Sequence, residues 1–214
     1  MTSFDHLETV PENWIEAPNF RRGGTSGVIK TRIDNNDVYI KKQNGHIYRS
    51  FRHPCGQPTA LREQEAILAM QKLGVRVPDI LHCESRRING RLRTYLVTRA
   101  LEGYEPLDSF FLHRYQALPA DKQQQLIKEL AEMLAKIHRC KWQHTALYPK
   151  HIFIRTEGEQ FEFALIDLEK MRRRLTVKQA SKHDLEQFSR HQPAWGEKGW
   201  ATFLASYEEA LAAN

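Results

Sequence analysis

The chain has 214 residues, 41% of them hydrophobic, enough to build ordinary cores in one large domain or two small lobes. Its formal charge of +6 and pI near 9.3 point to an anionic partner, and nucleic acid, nucleotide phosphates, anionic lipid and acidic glycolipid all fit. Apolar runs are only a few residues long and the N-terminal stretch MTSFDHLETVPENW is polar and acidic, which argues against a spanning helix or secretory leader and predicts a cytoplasmic protein. Cys55, Cys83 and Cys140 lack C-x-x-C spacing, so they read as reduced thiols, not a disulfide framework or zinc site. Basic residues fall in RRGGTSGVIK, YRSFRH, ESRRINGRLR and KMRRRLTVK, which punctuate the chain without forming one arm. They lack interleaved aromatics and any helix-turn-helix or RNA-binding signature, so no nucleic acid is expected.

SGVIKTRI and DVYIKKQ, separated by DNND, read as a hairpin of short β-branched strands followed by a loop. From Thr59 the pattern turns helical, with Glu63, Ile67, Met70 and Leu73 recurring until Gly74 and Pro78 end it. DILHCESRRI and RLRTYLVTRAL read as two further strands around an Asn89-Gly90 turn. EGYEPLDSFF reads as a connector. Beyond it, DKQQQLIKELAEMLAKIHR places Leu126, Leu130, Met133, Leu134 and Ile137 on one helix face, with Asp121 as the expected N-cap. HIFIRT and FEFALIDLE, joined near Gly158, predict another hairpin, and HDLEQFSR and KGWATFLASYEEALAAN read as helices. The expected class is α+β and two-lobed: a mainly β lobe with one helix over residues 1–101 and a mainly α lobe over 102–214.

This element order resembles a protein-kinase-like fold, and the resemblance says which parts to look for. Its glycine-rich hairpin corresponds to RGGTSGV, with Gly23, Gly24 and Gly27 covering phosphates. Its strand lysine corresponds to VYIKK, with Lys41 in the motif register. Lys42 points to the opposite face, and alternation alone does not decide whether Val38 and Ile40 pack toward a helix or the roof of a cleft. The helix glutamate that pairs with the lysine corresponds to Glu63, at the edge of the apolar face, since Glu65 is rotated about 160° away. Asp167 in FALIDLEK ends an apolar strand where a metal-binding aspartate belongs, although the triplet here is Asp-Leu-Glu. QHTALYPKHIFI then occupies the catalytic-loop position. Read from His144, it puts Ala146 where the base is expected and His151 at the second ligand position, toward magnesium or phosphate.

Taken with LREQEAILAMQKLGVRVP, HTALYPKHIFI and IDLEKMR, these motifs resemble the lipopolysaccharide kinase superfamily, which phosphorylates heptose or Kdo sugars, and within it the InaA-like branch, over nearly the whole chain. The resemblance implies ATP and magnesium as cofactors. It also implies an anionic sugar or glycolipid acceptor and peripheral contact with the cytoplasmic face of the inner membrane. Catalytic candidates are His144 and Asp167; Gly23, Gly24, Gly27, Lys41 and Glu63 would bind nucleotide, and Asp167 and His151 the metal. The departure at Ala146 keeps open a pseudokinase scaffold, with His144, Tyr148 and Glu169 as substitute bases for an enzyme. His144 also reads as a histidine that packs behind the loop, as in kinase-like folds, His138 as a helix cap or core histidine, and Asp184 as an architectural aspartate bracing the loop backbone. Trp142, Trp195, Trp200 and Tyr207 read as core, and Arg172 to Arg174 as either an acceptor contact or a solvated strand.

Overall fold

A computed structural model describes residues 3–50 and 53–213, so Phe51 and Arg52 of the YRSFRH cluster lie outside the described residues. The chain is α+β, rich in sheet toward the N-terminus and in helix toward the C-terminus. It divides into two compact units, Met1–Leu68 with Pro78–Leu101, and Ala69–Val77 with Glu102–Asn214. Residues 69–77 thus group with the second unit and interrupt the expected 1–101 lobe.

The first unit begins with a short helix, α1 (Phe4–Thr9), capped by the Ser3 hydroxyl accepting from the His6 amide. Strands β1 (Trp14–Arg21), β2 (Gly24–Ile33) and β3 (Asn36–Asn44) follow, then a small hairpin of β4 (Ile47–Ser50) and β5 (His53–Pro58). Helix α2 (Thr59–Lys72) leads to β6 (Ile80–Ile88) and β7 (Arg91–Arg99). One antiparallel sheet has the order β1-β2-β3-β7-β6. Two of its turns, Asp34-Asn35 and Asn89-Gly90, put both central residues at positive φ, the twist that two-residue hairpins require. Val38 and Ile40 lie on the face that packs, with Ile29, Tyr95 and Val97, against Phe4, Leu7 and Val10. Phe4 meets Tyr95 edge to face at 5.0 Å. Lys42 shares this face, its ammonium bonded to the Val10 carbonyl at 3.2 Å and lying over the Tyr95 ring.

The N-terminal helix, β1 and the β4–β5 hairpin all differ from the sequence expectation. Phe4, Leu7 and Val10 are too few to register as a periodic run, β1 carries a proline and a nearly fully exposed edge, and β4–β5 reads as loop chemistry.

The second unit opens with β8 (Glu105–Pro106) and α3 (Leu107–His113), where a plain connector was expected. The long helix α4 (Ala120–Arg139) buries Leu126, Ile127, Leu130, Ala131, Leu134, Ala135, Ile137 and His138. Its cap position is Pro119, not Asp121. Asp121 sits in the first turn, where its charge suits the helix dipole without capping an amide. Then come β9 (Trp142–Gln143), β10 (Ile152–Glu157), β11 (Gln160–Leu165), β12 (Arg172–Arg173), α5 (Val177–His191) and α6 (Glu197–Ala212). β11, β10 and β8 form one sheet, and β12 pairs with β9. Phe188, Trp195, Trp200, Phe203 and Tyr207 stack and tilt against one another to fill the core between α5 and α6.

Candidate active site

In the first unit the Lys41 ammonium donates to the Glu63 carboxylate, and the pair is largely withdrawn from solvent, Glu63 being 8% exposed. Strand alternation sends Lys41 away from the α1 core, and the helical twist of α2 turns Glu63 toward it while Glu65 stays exposed and accepts from Gln57.

Gln43 fixes this geometry, and nothing in the sequence marked it out. Two residues beyond Lys41 and on the same face, it donates from Nε2 to Thr59 Oγ1 at 2.7 Å and to Ser26 Oγ at 3.2 Å. Its Oε1 accepts from the Ala60 amide at 2.9 Å, satisfying one of the unpaired N–H groups at the start of α2. His46 Nδ1 adds a bond to Thr59 Oγ1 at 2.8 Å. The start of α2 is therefore pinned to β2 and β3 one turn before Glu63. Cys83 lies nearby, and burial, reinforced by the Glu63 charge, pushes its thiol up to about 12.

The glycines expected over phosphate have different surroundings. Gly23 and Arg22 form the β1–β2 turn, both at positive φ. Gly24 and Gly27 lie within β2. A side chain at Gly24 would strike the backbone of Asn44, Gly45 and His46, and one at Gly27 would come within 2.7 Å of the Trp14 ring. Close packing inside the sheet thus accounts for two of the three.

In the second unit the loop between β9 and β10 is organised by one buried carboxylate. Asp184, fully enclosed on α5, accepts from the His144 amide at 2.6 Å and the Thr145 amide at 2.9 Å. His138 lies 3.3 Å from the same carboxylate through Nε2, and its Nδ1 meets the Tyr207 hydroxyl at 2.8 Å. His138 is therefore a core histidine bridging two helices and does not cap α4. Burial pushes the Asp184 carboxyl upward, but hydrogen bonds and charge from His138 and His144 outweigh it and hold the group below the ordinary carboxylate range.

Thr145 takes a positive φ in this loop, and Ala146 is buried, its carbonyl accepting from the Tyr148 amide and from His151 Nδ1, both at 2.8 Å. Asp167 follows the end of β11 in the left-handed region and lies 3.6 Å from His151 Nδ1, with its side chain about a third exposed. The Ile166 amide bonds the His151 carbonyl at 3.0 Å, which ties the loop to the residue preceding Asp167. With Nδ1 committed to Ala146, His151 keeps Nε2 for a ligand. Tyr148 stands edge-on to both His151 and His191.

Of the two readings of His144, a catalytic residue or one packing behind the loop, the geometry matches the second. His144 is 1% exposed, its Nε2 meets the Ile166 carbonyl at 3.0 Å, and its Nδ1 accepts from the Ala146 amide at 3.3 Å. Burial lowers its pKa, keeping the ring neutral, and neither nitrogen is left for an acceptor hydroxyl. Arg172 and Arg173 lie on an exposed two-residue strand, and Trp195 and Tyr207 are buried in the aromatic core.

For magnesium, the Asp167 carboxylate is the suitable donor, because the ion favours oxygen. Among the described residues no group of three or more His, Cys, Asp or Glu side chains can hold a metal. An ion there would be held by Asp167, with His151 as the neighbouring side chain.

Residues 5–207 match the family model for the lipopolysaccharide kinase (Kdo/WaaP) family. The chain belongs to this family. Protein InaA of Escherichia coli (strain K12) is 33% identical over 205 residues, covering 95% of this chain and 94% of that one. The solved structure of WaaP in complex with acyl carrier protein superposes with a TM-score of 0.71 at 20% identity, over 92% of this chain and 80% of WaaP. The lipopolysaccharide kinase family member described here thus has a protein-kinase-like fold.

Proposed function

We propose that the protein is an ATP- and magnesium-dependent kinase that phosphorylates a sugar hydroxyl on an anionic, lipopolysaccharide-type acceptor. It would work in the cytoplasm, in peripheral contact with the inner membrane that carries such glycolipids. The enclosed Lys41–Glu63 pair carries the reading, because a strand lysine held by a helix carboxylate is the arrangement that positions an ammonium for nucleotide phosphates. Family membership supports the reaction type.

In this reading Lys41, held by Glu63, contacts the α- and β-phosphates, and the hairpin with Gly23, Gly24 and Gly27 lies over the triphosphate. Asp167 anchors the metal, and His151 Nε2 reaches its water shell or a phosphate oxygen. ATP supplies the phosphoryl group, and magnesium held by Asp167 would supply charge neutralisation of the transferring phosphate. The acceptor oxygen forms a bond to the γ-phosphorus as the bond to the β,γ-bridging oxygen breaks, and ADP leaves. The hydroxyl proton departs late, so a missing aspartate at Ala146 costs rate without abolishing transfer. Tyr148 and Glu169 are the loop side chains assigned to receive it.

Calorimetry with ATP tests this directly. Binding should require magnesium and weaken by roughly 10–100-fold in Lys41→Ala and in Asp167→Ala, the scale of one charged hydrogen bond. No binding at millimolar ATP would sink the kinase reading. A second reading, a nucleotide-responsive scaffold, is favoured by Ala146 alone.

A further inference from the structure

The two ends of the five-stranded sheet differ in charge. At one end are the β2–β3 turn and the start of β6, with Asp34, Asp37 and Asp79, and Asp37 is paired there with Lys30 and Arg32. The other end brings together three turns. Strand register sets Phe20 beside Thr25, Thr25 beside Asn44, Asn44 beside Arg93 and Arg93 beside Arg86, a row of five strands about 19 Å wide. Just beyond that row lie Arg21 and Arg22, Gly45, and the β6–β7 turn with Arg87 and Arg91. Gly45 joins the turns, since its amide bonds the Leu92 carbonyl at 2.7 Å and it packs beside Gly24.

The arginines here fall into two classes. Those of the inner row are neutralised, Arg86 by Asp5 and Glu84 and Arg93 by Glu8. Among the described residues the outer ones, Arg21, Arg22, Arg87 and Arg91, have no ion-pair partner and are all exposed. Phe20 stands among them with 84% of its surface in water. A lone exposed aromatic needs no explanation. One that sits beside Arg21 and Arg22 on the edge strand, at the same end of the sheet as Arg87 and Arg91, has the composition of an interfacial anchor, with cations for lipid phosphates and a ring for the headgroup level.

We propose that this end of the sheet, Phe20 with Arg21, Arg22, Arg87 and Arg91, is a docking surface for anionic phospholipid bilayers. It gives the peripheral membrane contact proposed above a definite location, and it is independent of nucleotide chemistry.

The test is sedimentation of the full chain, without nucleotide, with vesicles of phosphatidylcholine alone or mixed with phosphatidylglycerol. Wild type should pellet only with the anionic vesicles. Replacing the four arginines by serine should cut partitioning by about six-hundredfold, at roughly fivefold per cation. Phe20→Ser should lose several-fold, and that loss should persist at high salt, where the arginine contribution fades. A charge-matched variant with Lys128, Lys178, Lys182 and Lys198 changed to serine should pellet like wild type. The proposal is overturned if the arginine variant still pellets, if the lysine variant loses as much, or if millimolar inorganic phosphate, matched with chloride for ionic strength, strips the protein from vesicles. That last result would mean a phosphate-ion site. Loss of ATP binding leaves these outcomes unchanged, so failure here and failure of the kinase reading are separable.

Discussion

Asp184 acts through the backbone of another segment, which makes its removal costly in a specific way. Asp184→Ala would strand the buried His144 amide, the partly buried Thr145 amide and His138, and should destabilise the protein by about 3–5 kcal/mol at neutral pH. Because the folded carboxyl is held below its ordinary range, the stabilisation is fully present above the unfolded pKa near 4 and is lost as pH falls through the lower folded value. Urea titrations should therefore show the gap between wild type and variant holding from pH 7 to about 5 and closing only below about pH 4. A gap that vanished by pH 6 would assign the effect to a histidine. Ala146 poses the complementary question. A general base is worth roughly 10²–10⁴-fold, so if the natural chain moves the proton by another route, Ala146→Asp should raise ADP release by less than about tenfold. A gain across that full range would identify the natural chain as a pseudokinase.

At the scale of elements, a glycine count in RGGTSGV does not separate phosphate binding from packing. Gly23 faces open space at positive φ, whereas Gly24 has no room for a methyl group against the neighbouring backbone. Gly23→Ala should cost about 1 kcal/mol in left-handed strain, and Gly24→Ala about 3 kcal/mol or more, because backbone has to move. Denaturation midpoints measure both, and equal losses would contradict the packing argument. The start of α2 shows the same dependence on neighbours. Its periodicity located the helix, but its anchor, Gln43, belongs to a strand sixteen residues before Thr59 and carries no local signal.

For the whole molecule, hairpins, the long helices and the α+β order were legible because they follow from short-range rules: two-residue turns at positive φ, period-two strands and apolar residues every three to four positions. Glu63 over Glu65 was legible in the same way, from helical rotation, whereas Lys41 over Lys42 came from the register of the kinase-like motif, because alternation alone does not say which face is which; the structure pairs Lys41 with Glu63. Local pattern was silent on α1, whose three apolar residues become a core only when the sheet face lies beneath them. It was equally silent on His144, whose two ring nitrogens are used up by backbone groups that the chain brings together only on folding. The sequence by itself determined the family, the types of its longer elements and a basic balance of +6. Only the tertiary structure decided which arginines are neutralised and which stay uncompensated, and which two amides Asp184, already legible as the brace of the loop, accepts from. Those outcomes depend on residues some 40 to 80 positions apart, whose pairing is set by packing and by the burial of polar groups that need partners.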